Sequence, residues 1–484
     1  MDTLRWTSLL ASWHGARGPL YRQLSTALSG CVQSGQLTPG EQLPSERRLA
    51  DLLQVSRSTV VAAYEELASG GWVSRRQGSG THVAATAPRQ QEVLALRSPV
   101  IRSPVMQSPV MRSPVRPLEA DQSELDLTIA VPQLGQAQRG RLERASAGAF
   151  GESLYHPLGL PELRAVLAEM YTRQGLPTRT EQVVVTTGAQ QAISVIAGTL
   201  LGRDDLALLE TPTYFGAIDV FRAQGAKLQG LPVASEGVRP EELRRRLPLG
   251  PRLAFLTPTY QNPSGTVLPA SSREQIAHLL AGADLPTIED DTLIDLAFEG
   301  APPPRLACFA PQAPIICVGS LSKLFWAGLR VGWMRLPGSL APALVQHKTL
   351  ADFGSSMPSQ VMALALLRDL DSLKAERRAE VLPARDLLVG LLRGQLPEWS
   401  FRVPDGGQFL WAELPTRNAS GYTQVARRHG VRLFPGASMG VSDLPDRYLR
   451  LPFTLPPADL PEAVARLARA WHSFQERGTG ERLA

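Results

Sequence analysis

From Glu124 onward, short apolar runs alternate with segments that have the apolar spacing of helices, and this alternation restricts the possible fold more than any other feature. Uninterrupted apolar runs of strand length are typical of strands that are buried on both faces. Helical segments between such strands are typical of a parallel sheet with helices on both sides. The sequence therefore predicts an α/β domain after residue 124.

Each predicted strand is followed by a segment of glycine and polar residues. In open α/β sheets, ligands bind outside the carboxyl ends of the strands. We therefore expect a ligand site where these segments meet. They are residues 186–191, 210–214, 257–265, 289–291 and 319–333.

The segment 319–333 contains Lys323 after an apolar run, next to two serines and before an arginine. Burial disfavours a charged amine, so a lysine in this position is a candidate for covalent use. The hydroxyls of Ser320 and Ser322 and the guanidinium of Arg330 suit a phosphate group. Lys323 is therefore the candidate catalytic residue, forming a Schiff base with pyridoxal 5′-phosphate. The alternative is a surface lysine beside a structural arginine.

The other strand ends carry the groups that this cofactor requires. Its phosphate requires backbone N–H groups at a helix N-terminus. These are supplied by Gly188, Ala189 and Gln190. Its ring requires an aromatic partner, Tyr214, and a carboxylate that keeps the pyridine nitrogen protonated, Asp290. Asn262 can donate a hydrogen bond to the phenolic oxygen of the cofactor. Each residue alone also fits a turn, a cap or a core position, so the prediction depends on their conjunction.

The positive charge of the chain is concentrated near its N-terminus. Residues 1–120 contain 13 arginines, no lysine and 8 acidic residues, whereas the acidic and basic residues of the remainder balance. The net charge of +5 therefore lies in the first quarter of the chain. This distribution indicates that the first quarter contacts a polyanion.

Location and redox state are indicated by what the chain does not contain. No apolar run reaches the roughly 20 residues of a membrane span, so we expect a cytoplasmic protein that makes no membrane contact. The cysteines, Cys31, Cys308 and Cys317, are scattered and lack metal-ligand spacing, so we expect reduced thiols and no metal site.

Three helices are predicted in the first quarter. Residues 19–37 repeat apolar side chains every four positions, Ser45 is placed to cap a second helix, and a third follows Val55. Two short helices around a tight turn, with polar and basic residues at the start of the second, predict a helix-turn-helix. The residues expected to meet DNA are Ser56, Arg57, Ser58 and Thr59.

Two short strands around a glycine turn follow the third helix and predict a wing. Arg75, Arg76 and the Gly78 backbone suit phosphates or the minor groove. Residues 19–84 resemble the winged helix-turn-helix of the GntR regulator family in the patterns L-P-S-x-R-x-L-A, V-S-R-x-T-V-x-x-A-Y-x-x-L and G-x-G-T. The resemblance implies contacts with a double-stranded DNA operator. The resemblance assigns these contacts to Arg47, Arg57, Ser58, Thr59 and the wing around Gly78.

A repetitive segment separates this region from the α/β domain. The tripeptide Ser-Pro-Val recurs at Ser98, Ser103, Ser108 and Ser113. A proline in each copy excludes a helix, so we predict a semi-rigid linker that spans on the order of 60 Å in about 20 residues. Its arginines either contact phosphates weakly or are solvated.

Residues 125–475 resemble the class I and II aminotransferases of fold type I. The resemblance rests on Y-x-x-x-G-x-P-x-L-R from Tyr155, T-x-G-A-Q from Thr186, Q-N-P-S-G from Gln261, S-x-S-K ending at Lys323, and Y-L-R-L from Tyr448. It implies that Tyr155 reaches the phosphate bound by a neighbouring subunit, so that the protein is a homodimer. It also implies that Arg450 binds the carboxylate of an amino-acid ligand.

A GntR-type module joined to an aminotransferase-like domain resembles the MocR subfamily of bacterial regulators. We predict a winged-helix DNA-binding domain at residues 15–84 and a linker at 85–124. A large pyridoxal-phosphate-binding α/β domain at 125–357 and a hinge helix with a small α+β domain at 358–484 complete the chain. The resemblance implies a homodimer in which the DNA-binding domains are exchanged.

The chain departs from the aminotransferase pattern after Asp290. Aminotransferases usually place a tyrosine two or three residues later, where this chain has Thr292 and Leu293. The loss of the phenol would slow proton transfer without preventing cofactor binding. We therefore predict a transcriptional regulator that senses pyridoxal phosphate, an amine or an amino acid. The alternative is an active aminotransferase that carries a DNA-binding module.

Overall fold

The computed structural model describes residues 5–6, 9–10, 13, 19–33, 36–76, 80–84, 124–132, 134, 136–146, 155–442 and 444–480. Its helices are α1 (Leu20–Gln33), α2 (Glu46–Leu53), α3 (Arg57–Ser69), α4 (Gln136–Ser146), α5 (Pro161–Arg173), α6 (Ala189–Leu200), α7 (Phe215–Ala223), α8 (Pro240–Arg246), α9 (Ala270–Gly282), α10 (Leu306–Phe309), α11 (Ala341–Asp352), α12 (Met357–Leu367), α13 (Leu370–Gln395), α14 (Ala419–Arg428) and α15 (Leu460–Gly480). Within these residues, none of the helices combines the length and apolarity that a membrane crossing requires.

The described strands form four sheets. They are β1 (Val73–Arg76), β2 (Gly80–Val83), β3 (Leu125–Asp126), β4 (Val183–Thr186), β5 (Leu206–Thr211), β6 (Lys227–Ala234), β7 (Gly237–Val238), β8 (Leu253–Leu256), β9 (Thr287–Asp290), β10 (Ile315–Ser320), β11 (Gly332–Arg335), β12 (Ser400–Phe401), β13 (Phe409–Glu413), β14 (Val431–Arg432), β15 (Phe434–Pro435) and β16 (Tyr448–Pro452).

The DNA-binding domain consists of α1 to α3 and the antiparallel pair β1–β2. Ser45 caps α2 by accepting the N–H of Arg48 at 3.4 Å. Buried leucines from all three helices, among them Leu24, Leu49 and Leu67, form one core. Tyr64 of α3 is buried there, and its hydroxyl donates to the Pro44 carbonyl at 2.8 Å. The predicted winged helix-turn-helix is confirmed.

The largest sheet has eight strands in the order β4-β11-β10-β9-β8-β5-β6-β7. The central strands β10, β9, β8, β5 and β6 run parallel, whereas β11 and β7 are antiparallel to their neighbours. Along β10, Ile315 and Cys317 belong to the core on one face, and Ile316 and Val318 belong to the core on the other. Both faces are therefore covered, as the uninterrupted apolar runs predict. The prediction of the α/β fold is confirmed.

A smaller domain follows the sheet. Its antiparallel strands have the order β12-β13-β16-β15 and pack against α14 and α15. The long helix α13 joins it to the large domain, because Leu373 packs in the large-domain core, whereas Val381 and Leu388 pack in the small-domain core. The exact domain boundaries given by the sequence stay predictions.

The described cysteines form no disulfide, as expected for reduced thiols. Cys31 is buried in the DNA-binding domain and Cys317 lies in the middle of β10. Burial raises the pKa of the Cys31 thiol to about 12, so that this thiol stays protonated at neutral pH.

Candidate functional site

The predicted site residues of the sheet meet at one edge because of strand register. Ser320 at the end of β10 pairs with Gly332 of β11, and Gly332 pairs with Thr186 at the end of β4. The loop that leads to α6 and the lysine segment therefore lie side by side. On the other side of β10, Val318 pairs with Asp290, which brings the carboxyl end of β9 to the same edge.

A cradle for an anion lies at the N-terminus of α6. Gly188 precedes the helix with a φ of 112°, a conformation that favours glycine. A Cβ at Gly188 would lie 3.0 Å from Nη2 of Arg330, so the guanidinium rests directly on this glycine. A Cβ at Gly332 would approach the Gly188 backbone to 2.7 Å. The absence of two side chains therefore lets helix N–H groups and an arginine converge.

Two serine hydroxyls adjoin the cradle. Oγ of Ser320 lies 3.0 Å from Oγ of Ser322 and accepts the N–H of Ser322 at 3.2 Å. Ser320 is the last residue of β10, and Ser322 lies two residues further on. Arg330 lies two residues before β11 and has a φ of 55°. N–H groups, hydroxyls and a guanidinium form a donor set that suits a phosphate.

Lys323 follows these serines, and its Nζ donates to the carbonyl oxygen of Ala130 at 2.7 Å. Burial, with the guanidinium of Arg450 as a smaller cause and against the opposing effect of Asp290, lowers the pKa of its ammonium group from 10.5 to about 8. Lys323 is therefore much more readily deprotonated than an exposed lysine.

Asp290 is 5% exposed at the end of β9. Burial raises the pKa of its carboxyl to about 6, whereas hydrogen bonds from Thr292 oppose the rise. The Thr292 N–H donates to Oδ1 at 2.9 Å. Leu293 is buried in the large-domain core. Neither residue at the position of the usual tyrosine therefore offers a phenol to the site.

Tyr214 and Gln190 are held together. The Tyr214 hydroxyl donates to Oε1 of Gln190 at 2.9 Å, and Nε2 of Gln190 donates to the Gly216 carbonyl at 3.3 Å. Burial, with the carboxylate of Asp290 as a smaller cause, raises the pKa of Tyr214 to about 12. The Gln190 side chain thus orients Tyr214, while Ala189 and Gln190 begin α6 with their N–H groups at the cradle.

Arg450 of β16 is 3% exposed and lies among three phenylalanine rings. Its guanidinium carbon is 4.6 Å from the ring centre of Phe409, 5.1 Å from that of Phe434 and 5.6 Å from that of Phe215. Burial lowers the pKa of this guanidinium to about 10, still well above neutral pH. Arg450 is therefore a buried cation in an aromatic enclosure.

The hydrogen bonds of Arg450 are made by its two Nη atoms. Nη2 donates to the Thr128 carbonyl at 2.5 Å, and Nη1 lies 3.4 Å from Oδ1 of Asn262. Nε is buried and has no partner among the described residues. Because buried donors are normally satisfied, this N–H marks a place for a ligand acceptor. The contact also brings Asn262 beside Arg450, with the Asn262 amide nitrogen left as a donor.

The contacts of Thr128 and Ala130 were not predicted from the sequence. These residues use backbone carbonyls, which every residue carries, so no sequence signal distinguishes them. Tyr155, by contrast, is 86% exposed and makes no contribution to the site described above. Its contact with a neighbouring subunit stays a prediction.

The predicted DNA-contacting residues lie around the start of α3. Ser56 caps this helix: its hydroxyl accepts the Thr59 N–H at 3.2 Å and lies 2.8 Å from the Ser58 hydroxyl. The Arg57 side chain is 70% exposed, and Nη2 lies 3.8 Å from the carboxylate of Glu46. The exposed hydroxyl and guanidinium groups suit a major-groove contact.

The remaining DNA-binding predictions fall on α2 and the wing. Arg47 is exposed on α2, and Arg75 of β1 is half-exposed, 4.0 Å from Glu65. Arg76 ends β1, but its side chain and Gly78 lie outside the described residues. Arg47, Arg57 and Arg75 are therefore the predicted DNA-contacting arginines whose side chains are described and exposed.

Fold and site together define a class of protein: a DNA-binding regulator whose effector domain has the aminotransferase fold. The family "Bacterial regulatory proteins, gntR family" matches residues 20–83, and "Aminotransferase class I and II" matches residues 125–467. The HTH-type transcriptional regulator YisV of Bacillus subtilis is 31% identical over 83% of this chain and 86% of its own length.

Two further comparisons agree with this class. The probable rhizopine catabolism regulatory protein MocR of Rhizobium meliloti is 30% identical over 79% of this chain and 78% of its own length. The α-aminoadipate aminotransferase LysN of Thermus thermophilus, solved with N-(5′-phosphopyridoxyl)-L-leucine, is 29% identical, with a TM-score of 0.68 over 73% of this chain and 94% of its own. This chain belongs to the MocR-type transcriptional regulators of the gntR family, and its effector domain belongs to the class I and II aminotransferases. DNA binding follows from the gntR domain, and the aminotransferase family typically binds pyridoxal phosphate.

Gly332→Ala tests the packing that forms the cradle. The added methyl group would meet Gly188 backbone atoms at 2.7 Å, which cannot rotate away, so we expect a loss of stability of about 1–3 kcal/mol. At Gly338 a Cβ would have no neighbour within 4 Å, so Gly338→Ala is the matched control. Urea unfolding followed by tryptophan fluorescence measures both. Equal midpoints for the two variants would contradict the packing argument.

Proposed function

We propose that this regulator binds pyridoxal 5′-phosphate at the carboxyl edge of its large sheet and changes its DNA binding in response to this cofactor, to an amine or to an amino acid. The observation that carries the proposal is the convergence of three features at one edge. These are the glycine cradle at Gly188, the carboxylate of Asp290 and the lowered pKa of Lys323.

The residues at this edge fit the cofactor. The N–H groups of Ala189 and Gln190, the hydroxyls of Ser320 and Ser322 and the Arg330 guanidinium would hold its phosphate. The close approach at Gly188 and Gly332 supports this assignment, because side chains there would fill the cradle. Tyr214 would stack on the ring, and Asn262 would donate to the phenolic oxygen.

When bound, pyridoxal phosphate supplies an aldehyde that condenses with amines and a ring that withdraws electrons. Lys323, with a pKa of about 8, offers a substantial fraction of neutral Nζ near physiological pH. Asp290, with a pKa of about 6, is mostly ionised at pH 7 and suits the protonated ring nitrogen. The two side chains therefore carry the proton states that binding requires.

Arg450 would bind the carboxylate of an amino-acid ligand. A guanidinium binds a carboxylate best through two parallel hydrogen bonds, and Nε of Arg450 is a buried donor without a partner among the described residues. The three phenylalanine rings around it exclude water and strengthen such a pair. The proposed ligand is therefore a primary amine, and Arg450 would bind its carboxylate where it carries one.

A regulatory role is favoured over catalysis by the residues after Asp290. Thr292 donates to Asp290, and Leu293 is buried in the core, so the site lacks the tyrosine that tunes proton transfer in aminotransferases. The second candidate function is an active aminotransferase, favoured by the otherwise complete set of cofactor residues. Turnover with a keto acid at about 1 s⁻¹ or faster would support this second function.

The homodimer is proposed from an exposed apolar patch. Leu350 is 72% exposed, Phe353 is 62% exposed and Tyr155 is 86% exposed. A Cβ at Gly354 would lie 2.8 Å from the His156 carbonyl, so the Tyr155 segment and the end of α11 adjoin. Asp352 of α11 also accepts a hydrogen bond from Gln191 of α6 at 2.8 Å, which brings the patch beside the cradle. A second copy covering this patch would bring its Tyr155 near the phosphate site.

Cofactor binding is tested by mixing the purified protein with pyridoxal phosphate and recording absorbance. We expect a new band that persists through gel filtration, is absent in Lys323→Ala and is unchanged in Lys227→Ala, an exposed lysine of β6. The rate of band formation should rise with pH and level off near pH 8, because the neutral amine reacts. A rate that continues to rise toward pH 10.5, the ordinary lysine value, would contradict the lowered pKa of Lys323.

DNA recognition is tested with Arg57→Ala on a duplex from the region upstream of the gene. We expect about tenfold weaker binding in a fluorescence-anisotropy titration at fixed salt, with the cofactor absorbance unchanged. Arg22→Ala, an equally exposed arginine of α1, is the control. A loss shared by both variants would indicate that only total charge matters at this surface.

The dimer is tested with Leu350→Glu, which places a charge in the apolar patch. We expect weaker self-association in sedimentation-velocity experiments over a concentration series, because the carboxylate would lose its water on association. Leu249→Glu changes a leucine that is 58% exposed elsewhere on the large domain and should leave the association unchanged. If the two variants associate equally, the partner does not cover this patch.

A further inference from the structure

A short segment links the ligand site to the surface on which the DNA-binding domain lies. We name residues 124–132 the strap. Its strand β3 pairs in parallel with β14, and the N–H groups of Leu125 and Leu127 donate to the carbonyls of Gly430 and Arg432, each at 2.9 Å. Glu124 lies 3.4 Å from the Arg427 guanidinium. The strap is therefore tied to the small domain immediately after the predicted linker.

The strap then passes from one domain core to the other. Leu127 is 1% exposed in the small-domain core, and Ala130 is 2% exposed in the large-domain core. The carboxylate of Asp126, just before Leu127, accepts the N–H of Thr128 at 2.8 Å and its hydroxyl at 2.6 Å, which fixes the turn of the backbone. The strap therefore crosses the boundary between the two domains in a defined conformation.

Two strap carbonyls hold two cations of the ligand site, Arg450 and Lys323. The Thr128 carbonyl accepts from Nη2 of Arg450 at 2.5 Å, and the Ala130 carbonyl accepts from Nζ of Lys323 at 2.7 Å. A ligand carboxylate would use Arg450, and the aldehyde of the cofactor would use Lys323. The strap therefore competes with the ligand at Arg450 and with the cofactor at Lys323.

The competition favours a carboxylate. A carboxylate that binds an arginine side-on uses Nε together with Nη2; here Nε has no partner among the described residues and Nη2 is held by the neutral Thr128 carbonyl. A carboxylate adds a negative charge and a second parallel hydrogen bond, so it binds a guanidinium more strongly than a single carbonyl does. A covalent bond from Lys323 Nζ to the cofactor would remove hydrogens that the Ala130 carbonyl accepts, but an amine that condenses with the cofactor would free Lys323 again. The ligand's own competition with the strap therefore takes place at Arg450.

The small domain also contacts the DNA-binding domain, through the end of α14. Arg428, the last residue of α14, donates through Nη2 to the carbonyls of Leu53 at 3.1 Å and Gln54 at 2.8 Å. These carbonyls end α2, where the helix dipole favours a cation. Ser56, the cap of α3, is two residues further on. Arg428 therefore fixes the end of α2 at the entrance to the recognition helix.

Neighbouring residues of α14 contact the strap and the DNA-binding domain. Arg427 is paired with Glu124 of the strap, and the adjacent Arg428 is bonded to α2. We propose that the strap is the coupling element of this regulator: a ligand carboxylate at Arg450 displaces it, the β3–β14 pairing and the Glu124–Arg427 pair weaken, and the α14 end releases the DNA-binding domain. This inference rests on the proposed function only for the position of the ligand. If the DNA-binding domains are exchanged in a homodimer, the same surfaces meet between chains.

Hydrogen exchange of the full-length protein, measured by mass spectrometry without cofactor, tests the coupling. Arg450→Gln removes the donor that holds Thr128, so amides of residues 125–128 and of residues 49–56 should both exchange faster, by about fivefold or more. Arg428→Ala should accelerate residues 49–56 alone. In the double variant, Arg450→Gln should still accelerate the strap and add nothing at residues 49–56.

The outcomes of this experiment separate the alternatives. Faster exchange of the strap with unchanged exchange at residues 49–56 in Arg450→Gln overturns the proposal, as does additivity in the double variant. If Arg450→Gln fails to fold, Glu124→Gln weakens the strap from its partly exposed end and should give the same pattern. Arg469→Ala, an exposed arginine of α15, is the control and should change neither segment.

An experiment with added cofactor and amines distinguishes failure of this proposal from failure of the proposed function. The protein is first mixed with pyridoxal phosphate, and absence of the absorbance band would refute the cofactor site without affecting the variant results. Glycine and methylamine are then compared, since they share an amine and differ in the carboxylate. We expect glycine to accelerate exchange of residues 125–128 and 49–56 more than methylamine does. Equal effects of the two amines overturn the competition at Arg450.

Discussion

The cost of burying charge is the constraint on which this structure depends. Lys323, Asp290 and Arg450 are all removed from water, and an unpaired charge in such surroundings is expensive. Each is therefore supplied with a partner: a strap carbonyl for each cation and the Thr292 N–H for the carboxylate. Because the partners of the cations are neutral backbone groups, the cations remain available to an anionic or covalently bound ligand.

The alternation of strand residues separates two polar systems along β9. Asp290 faces the ligand edge, whereas Glu289 and Asp291 contact α10 and the residue before it. Glu289 accepts N–H groups of Leu306 and Ala307, and Asp291 pairs with the buried Arg305 at 2.5 Å. Three consecutive acids therefore serve two purposes. Glu289 and Asp291 anchor the sheet to its covering helix, and of the three acids Asp290 is the one that lies at the site.

Much of the fold and part of the site could be predicted from the sequence. Apolar runs fix which strands are buried on both faces, and glycine or polar residues after them identify the ligand edge, because parallel strands end together. Gly188, Lys323 and Asp290 carry signals of this kind. Contacts made by backbone carbonyls, such as those of Thr128 and Leu53, carry none, since every residue has a carbonyl. Arg428 could not be distinguished from other surface arginines, because its partner lies far away in the sequence.

The position of the two cations has a consequence for ligand choice. Lys323 belongs to the large domain and Arg450 to the small domain, and α13 packs in both cores and connects them. A ligand whose carboxylate binds Arg450 and whose amine takes the place of Lys323 on the cofactor would span the domain boundary, so the separation between its amine and its carboxylate has to match the separation of the domains. The distance between the amine and the carboxylate of the ligand, more than the chemistry of its side chain, would then determine which compounds this regulator detects.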